Sequence, residues 1–133
     1  MDKRKDEMQR RDAGFTLVEI LLVVVIIGIL ASVAVPRLTG AADKARNTAA
    51  KQAISNIESA IDRYEMDCAR LPDSLQNLIT QSNEKNWDGP YIRKAESLKD
   101  PWGNDYQYTK QGKTYTVASA GADGNFGTED DIK

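Results

Sequence analysis

The chain has 133 residues and a formal net charge of -2, from 18 Lys and Arg against 20 Asp and Glu; this leaves room for one modest domain and provides no basic surface for nucleic acid. It contains no His, so Ser-His and Cys-His nucleophile pairs are excluded, the commonest zinc ligand is missing, and no enzyme activity is expected. Cys68 is the single cysteine, which rules out a disulfide within the chain and reads as a packed, inert thiol.

Residues 1–14 carry Lys3, Arg4, Lys5, Arg10 and Arg11 against Asp2, Asp6, Glu7 and Asp12. Lys and Arg ahead of an apolar run hold that side of a membrane in the cytoplasm, since acids count for little in setting orientation. The run at 15–35 is almost unbroken, and about 20 apolar residues suffice to cross a bilayer as a helix. It is long for the apolar region of a secretory signal peptide and has no Ala-x-Ala-like site directly after it, although Ala31, Ser32 and Ala34 are small.

Glu19 is the one charge in the run. An ionisable side chain deep in hydrocarbon costs on the order of 2.5–3.5 kcal/mol. Two readings stand side by side: contact with a partner group, or hydration near the cytoplasmic interface one turn inside Phe15. Gly28 and Pro36 weaken the stretch between them, because Gly adds backbone freedom and Pro removes a hydrogen bond.

From Leu38 onward the pattern becomes amphipathic. Ala42, Ala45, Ala49 and Ala53 lead into Ile54, Ile57, Ile61, Tyr64 and Cys68 at steps that make one helical stripe. A helix over 15–67 extends roughly 80 Å at 1.5 Å per residue. Arg70-Leu71-Pro72 ends it, and Asp73 opens a short helix with Gln76 as its capping-box partner and Leu75, Leu78 and Ile79 as its apolar face.

Residues 81–86 are polar and loop-like, and 87–92 place Trp87, Tyr91 and Ile92 around a Gly-Pro turn, which reads as a packed loop. After a turn at 100–104, residues 105–109 form a strand with Tyr106 and Tyr108 on one face. The chain turns around Gly112 and returns as 114–118 with Tyr115 and Val117. So small a hairpin needs a partner layer, which the amphipathic half of the helix supplies. The expected fold class is α+β: a long N-terminal helix, membrane-spanning in its first half and amphipathic in its second, packed on a small C-terminal antiparallel sheet.

Near the end, Asp123, Glu129, Asp130 and Asp131 lie among Gly121, Gly124 and Gly127. Such a loop holds a hard cation or forms a solvated acidic tail, and it lacks the spacing and flanking helices of an EF-hand.

The stretch Gly14-Phe15-Thr16-Leu17-Val18-Glu19 behind a charged leader resembles the processing site of type IV pilins and type II secretion pseudopilins. Residues 87–92, 100–108, and 119–124 with 130–132 resemble, in the same order, signatures of the major pseudopilin family of type II secretion. The resemblance implies a prepilin leader at 1–14, a transmembrane and filament-core helix at 15–36, and a soluble periplasmic domain at 37–133. It implies cleavage between Gly14 and Phe15 by a prepilin peptidase, N-methylation of Phe15, and pairing of Glu19 with the terminal amine of a neighbouring copy. It also implies Ca2+ bound by the carboxylates of Asp123, Asp130 and Asp131 and the carbonyl of Ala120, with Ser119 a weaker candidate.

The implied partners are copies of the same chain in a filament, minor pseudopilins, the inner-membrane secretion platform and inner-membrane lipid, with no nucleic acid. The implied topology is single-pass in the inner membrane, N-terminus cytoplasmic and C-terminal domain periplasmic. Two alternatives remain at this level: a true type IV pilus subunit, and an anchored periplasmic calcium-binding module that does not polymerise.

Overall fold

The computed structural model describes residues 14–133, so residues 1–13 of the expected leader lie outside the described residues. Helix α1 spans Leu17–Cys68 and runs unbroken through Gly28 and Pro36, the two positions where the sequence predicts weakening. Ser32, one turn before the proline, donates its hydroxyl to the Ile29 carbonyl at 2.7 Å. By contacts the chain divides after Leu38, and the two parts are described separately.

In the first part, 14–38, the large side chains of α1 from Leu17 to Leu38 are exposed on every face. Its most apolar 18-residue window has a mean hydropathy of 3.0, and none of that window is buried. A helix that is hydrophobic all round has no stable place in water and needs lipid or other helices.

The second part, Thr39–Lys133, holds the core. There α1 buries Ala50, Ile54, Ile57, Ala60, Ile61 and Tyr64. The predicted stripe therefore starts later than expected: Ala42, Ala45 and Ala49 are exposed, and Ala53 and Cys68 are half-buried. Periodicity identifies the apolar face of a helix, and burial begins only where another layer covers that face. Burial also pushes the Cys68 thiol up from its ordinary value, which disfavours the reactive thiolate.

The helix ends at Ala69, whose φ of 58° is left-handed. The following chain, Leu71 and Pro72, is buried and leads into a 3-10 turn at Leu75–Leu78. Its cap differs from the prediction by one residue. Ser74 is the N-cap, with extended φ and ψ, and the Asn77 side chain accepts its backbone N–H at 3.0 Å. Asp73 is engaged elsewhere: its carboxylate accepts hydrogen bonds from Lys110 Nζ at 3.1 Å and Arg70 Nη2 at 3.0 Å. The Lys110 bond is the leading reason that this carboxyl sits below its ordinary range.

Tyr91 packs edge-on against both Tyr64 and Trp87, with centroids 5.6 and 5.8 Å apart. The Trp87 indole N–H donates to the Asn77 carbonyl at 2.9 Å, and its ring lies where a side chain on Gly89 would stand. This is the packed loop that the aromatics and turn residues predict. A further 3-10 turn at Ala95–Leu98 has no counterpart in the sequence reading.

Strands β1 (Gln107–Gln111) and β2 (Thr114–Ala118) pair antiparallel, with Tyr108 opposite Val117. Gly112 supplies the positive φ of their two-residue turn. β1 begins two residues later than predicted because Asp105 bridges to Lys99 instead. The hairpin is fastened to the helical layer by side chains: Tyr108 Oη donates to the Pro72 carbonyl at 2.8 Å and Tyr115 Oη to Asp62 at 3.2 Å. Val117, Tyr106 and Ile132 complete the core around Ile57, Ile61, Tyr64 and Leu78. The α+β architecture is therefore as predicted.

Two outcomes follow from this packing. A left-handed alanine costs roughly 1–2 kcal/mol that glycine avoids, so Ala69→Gly raises the denaturant midpoint by about 1 kcal/mol of stability, measured by equilibrium unfolding. Burial, aided by Asp67, Asp100 and Asp62 respectively, pushes Tyr91, Tyr106 and Tyr115 from 10.0 to about 12. Their neutral phenols favour the fold fully below pH 10, and that stability is lost as pH rises through about 12. Alkaline denaturant titrations followed by tyrosinate absorbance show that loss, and Tyr106→Phe, whose hydroxyl is buried without a partner, reduces it without lowering neutral-pH stability.

Candidate functional site

Two places carry the sequence-predicted site residues, one in each part of the chain. At the N-terminal end, Gly14, Phe15 and Thr16 precede α1 in non-helical conformation and are exposed. Among the described residues, an added Cβ at Gly14 would meet nothing within 4 Å. Thr16 caps the helix: its Oγ1 accepts the Glu19 backbone N–H at 3.2 Å, and its carbonyl accepts from Ile20 N–H at 3.2 Å.

Thr16-x-x-Glu19 is thus the first turn of an N-capped helix, a pattern the sequence displays and the motif reading passed over. It fixes Glu19 at the third helical position, where the positive end of the helix favours a carboxylate. The Glu19 side chain is exposed, and among the described residues no cation pairs with it.

The second place is the C-terminal loop. Ser119 and Ile132 form a two-way backbone bridge, Ser119 N–H to Ile132 O at 2.8 Å and Ile132 N–H to Ser119 O at 2.9 Å. Gly121, at φ 69°, presses so closely on the Asp130 backbone that any Cβ would collide with the Asp130 carbonyl. The loop is therefore closed by the chain itself, and Ala120 is brought beside the 130–132 segment.

Ala120 is fully buried, while Asp123 and Asp130 are exposed and Asp131 is half-buried. Asp123 Oδ1 accepts the Asn125 N–H at 2.9 Å. Asp131 Oδ2 accepts the Gly127 N–H at 2.8 Å, and its Oδ1 is shut off from solvent with no hydrogen-bond partner. Among the described residues no three acidic side chains stand together as a finished metal cage. The residues nevertheless fit a hard cation in kind: a buried carboxylate oxygen left unpaired is costly, and oxygen donors from carboxylates and carbonyls in a flexible loop are what Ca2+ takes. A groove of about 520 Å³ runs along this segment, lined by Asp43, Asn47, Lys51, Glu129, Asp130 and Asp131.

Asp100 is the residue in this region that motif reading missed. It is only 5% exposed. Its Oδ1 accepts the backbone N–H groups of Trp102 and Asn104 at 3.1 and 2.8 Å, and its Oδ2 accepts the Ser119 hydroxyl at 2.7 Å. The Asp-Pro-x-Gly turn was legible as a turn; nothing local marked its carboxylate as buried, since the partner lies nineteen residues on.

Comparison with known proteins places both ends in one family. Residues 37–133 match the family described as type II secretion system (T2SS), protein G, and residues 9–35 match the prokaryotic N-terminal methylation motif. The type II secretion system core protein G of Aeromonas hydrophila is 42% identical over 93% of this chain and 92% of its own length. That of Escherichia coli K12 is 41% identical over 92% and 90%. The crystal structure of the major pseudopilin from the type 2 secretion system of enterohaemorrhagic Escherichia coli shares the fold with a TM-score of 0.59, at 36% identity over 73% of this chain and 92% of that one. With a family match over most of its length and relatives this similar along nearly all of it, the chain belongs to the type II secretion system protein G family.

Proposed function

We propose that this chain is the structural subunit of a type II secretion pseudopilus, a filament built from copies of itself that supports protein export across the outer membrane. The observation that carries the reading is the apolar half of α1, exposed on every face, capped at Thr16 and bearing Glu19, which pairs with no cation among the described residues. Before assembly that surface suits inner-membrane lipid. After assembly it suits the same surface on neighbouring copies.

In this reading a prepilin peptidase cleaves between Gly14 and Phe15, and Phe15 becomes the methylated N-terminus. Its ammonium in one copy pairs with Glu19 in the next. Each charge relieves the other's desolvation, and removing either strands the survivor in an apolar setting. The N-terminal side is cytoplasmic, the domain after Leu38 is periplasmic, and minor pseudopilins and the inner-membrane platform are the further partners. A non-polymerising anchored module leaves Glu19 without a role.

The C-terminal loop is proposed to hold Ca2+ through the carboxylates of Asp123, Asp130 and Asp131 and the Ala120 carbonyl. When bound, the ion would supply positive charge for these oxygens to coordinate, a cross-link in place of a disulfide that a single cysteine cannot form. The chain's own contribution is the closed frame: the Ser119–Ile132 bridge and the Gly121–Asp130 approach hold the two ends of the loop together.

Glu19→Ala leaves a membrane-inserted subunit whose N-terminal peptide mass still begins at Phe15, and filament yield falls at least tenfold by sedimentation; undiminished filaments refute the pairing. For the cation, chelation of the full chain in detergent lowers the melting temperature by on the order of 10 °C relative to calcium at about a hundred times its Kd. Asp123→Ala removes that response, and an identical melt with and without calcium leaves only an acidic tail.

A further inference from the structure

The turn at 100–104 touches the cation loop at both of the loop's first-half anchors. Through Asp100 Oδ2 it receives the hydroxyl of Ser119, and that hydroxyl oxygen in turn accepts the Gly121 N–H at 3.1 Å. At the far side, the Asn104 side chain lies 3.4 Å from where a Cβ on Gly124 would stand. The turn is itself closed by Asp100 N–H to Asn104 O at 2.7 Å and Gly103 N–H to Asp100 O at 3.0 Å. A rigid platform thus lies against residues 119–124, the segment that contributes Ala120 and Asp123.

We infer that Asp100 is a positioning residue for cation binding in the C-terminal loop: it sets the Ser119 hydroxyl, which sets the Gly121 N–H and the backbone at Ala120. This rests on the calcium reading above. Asp100 is not offered as a ligand. All three of its side-chain bonds are accepted from the protein, two from backbone N–H groups and one from Ser119.

A carboxylate is required here rather than an amide. Both oxygens accept, so the Ser119 O–H is directed at Asp100 and its lone pairs remain for Gly121. An amide presents N–H groups to Ser119 in place of an acceptor, competes with Gly121 for the hydroxyl oxygen, and leaves the hydroxyl proton without its buried partner. Groups that orient ligands from behind in this way alter metal affinity by about 10–100-fold when changed.

The test is a calorimetric titration of calcium chloride into the full chain in detergent, for wild type, Asp100→Asn, Ser119→Ala and the double variant, with circular dichroism as the check on folding. Asp100→Asn is expected to raise the calcium Kd about tenfold or more with the spectrum unchanged, and Ser119→Ala to do the same. Because the two act through one hydrogen bond, the double variant binds no more weakly than the weaker single. A folded Asp100→Asn that keeps the wild-type Kd, or single effects that multiply in the double variant, overturns the positioning role. If Asp100→Asn does not fold, Ser119→Ala decides: an unchanged Kd overturns the inference. Wild type that takes up no calcium overturns the calcium reading itself and is distinguished from the other failures by the missing heat before any substitution is made.

Discussion

The apolar surface of α1 between Leu17 and Leu38 has nothing to pack on among the described residues of its own part of the chain. Each large side chain left in water there forgoes roughly 1.5–3 kcal/mol. In aggregate that is tens of kcal/mol, well above the net stability of about 5–15 kcal/mol typical of a folded domain. No arrangement of the domain after Leu38 offsets such a deficit, so the environment of this helix must come from outside the subunit. A bilayer meets the requirement, and so does a bundle of identical helices. Within either, Glu19 is the costly group, and its place at the third position of a capped helix makes it a defined point charge rather than a tolerated accident.

The part after Leu38 solves the opposite problem, too little apolar surface. One helical stripe, a few loop side chains and a two-stranded hairpin form its core, and a hairpin of that size is marginal alone. Polar ends of buried residues therefore contribute as fasteners. Tyr108 reaches the Pro72 carbonyl, Tyr115 reaches Asp62, and Lys110 reaches both Leu71 O and Asp73. Each joins segments far apart in sequence, which explains how so little regular structure holds one arrangement.

What the sequence reveals and what it conceals follow the same physical line. The long helix, the hairpin, the aromatic Gly-Pro loop and the glycine-rich C-terminal loop are written in local periodicity and turn chemistry, and all of them are present. The errors concern extent and partners. Ala42, Ala45 and Ala49 have the right spacing for a buried stripe but no covering layer, and Asp73 has the right chemistry for a cap but is bound by Arg70 and Lys110. Asp100 looked like an ordinary turn residue because its decisive neighbour, Ser119, is close only after folding. At the C-terminal loop the residue types alone favoured a solvated acidic tail, and only the family resemblance favoured a cation; the bridge at Ser119 and Ile132, which no local pattern encodes, closes the loop.

Those features connect the two ends of the chain in one functional argument. A filament that grows by repeating one contact needs a head-to-tail interface that does not close on itself. An all-round apolar helix provides adhesion but little register, because aliphatic surfaces slide with small penalty; in the proposed filament, one carboxylate per subunit, placed by the Thr16 cap, would supply the register. The domain after Leu38 must then keep its shape while carried by neighbours, and in its C-terminal loop several carboxylates lie close in sequence and Asp131 holds a buried oxygen without a partner. The loop is nonetheless clamped at Ser119, Gly121 and Ile132 and backed by the Asp100 turn. Because the chain itself closes the frame at Ser119–Ile132 and Gly121–Asp130, the proposed cation would meet less of the entropy cost of joining Ala120 to the 130–131 segment.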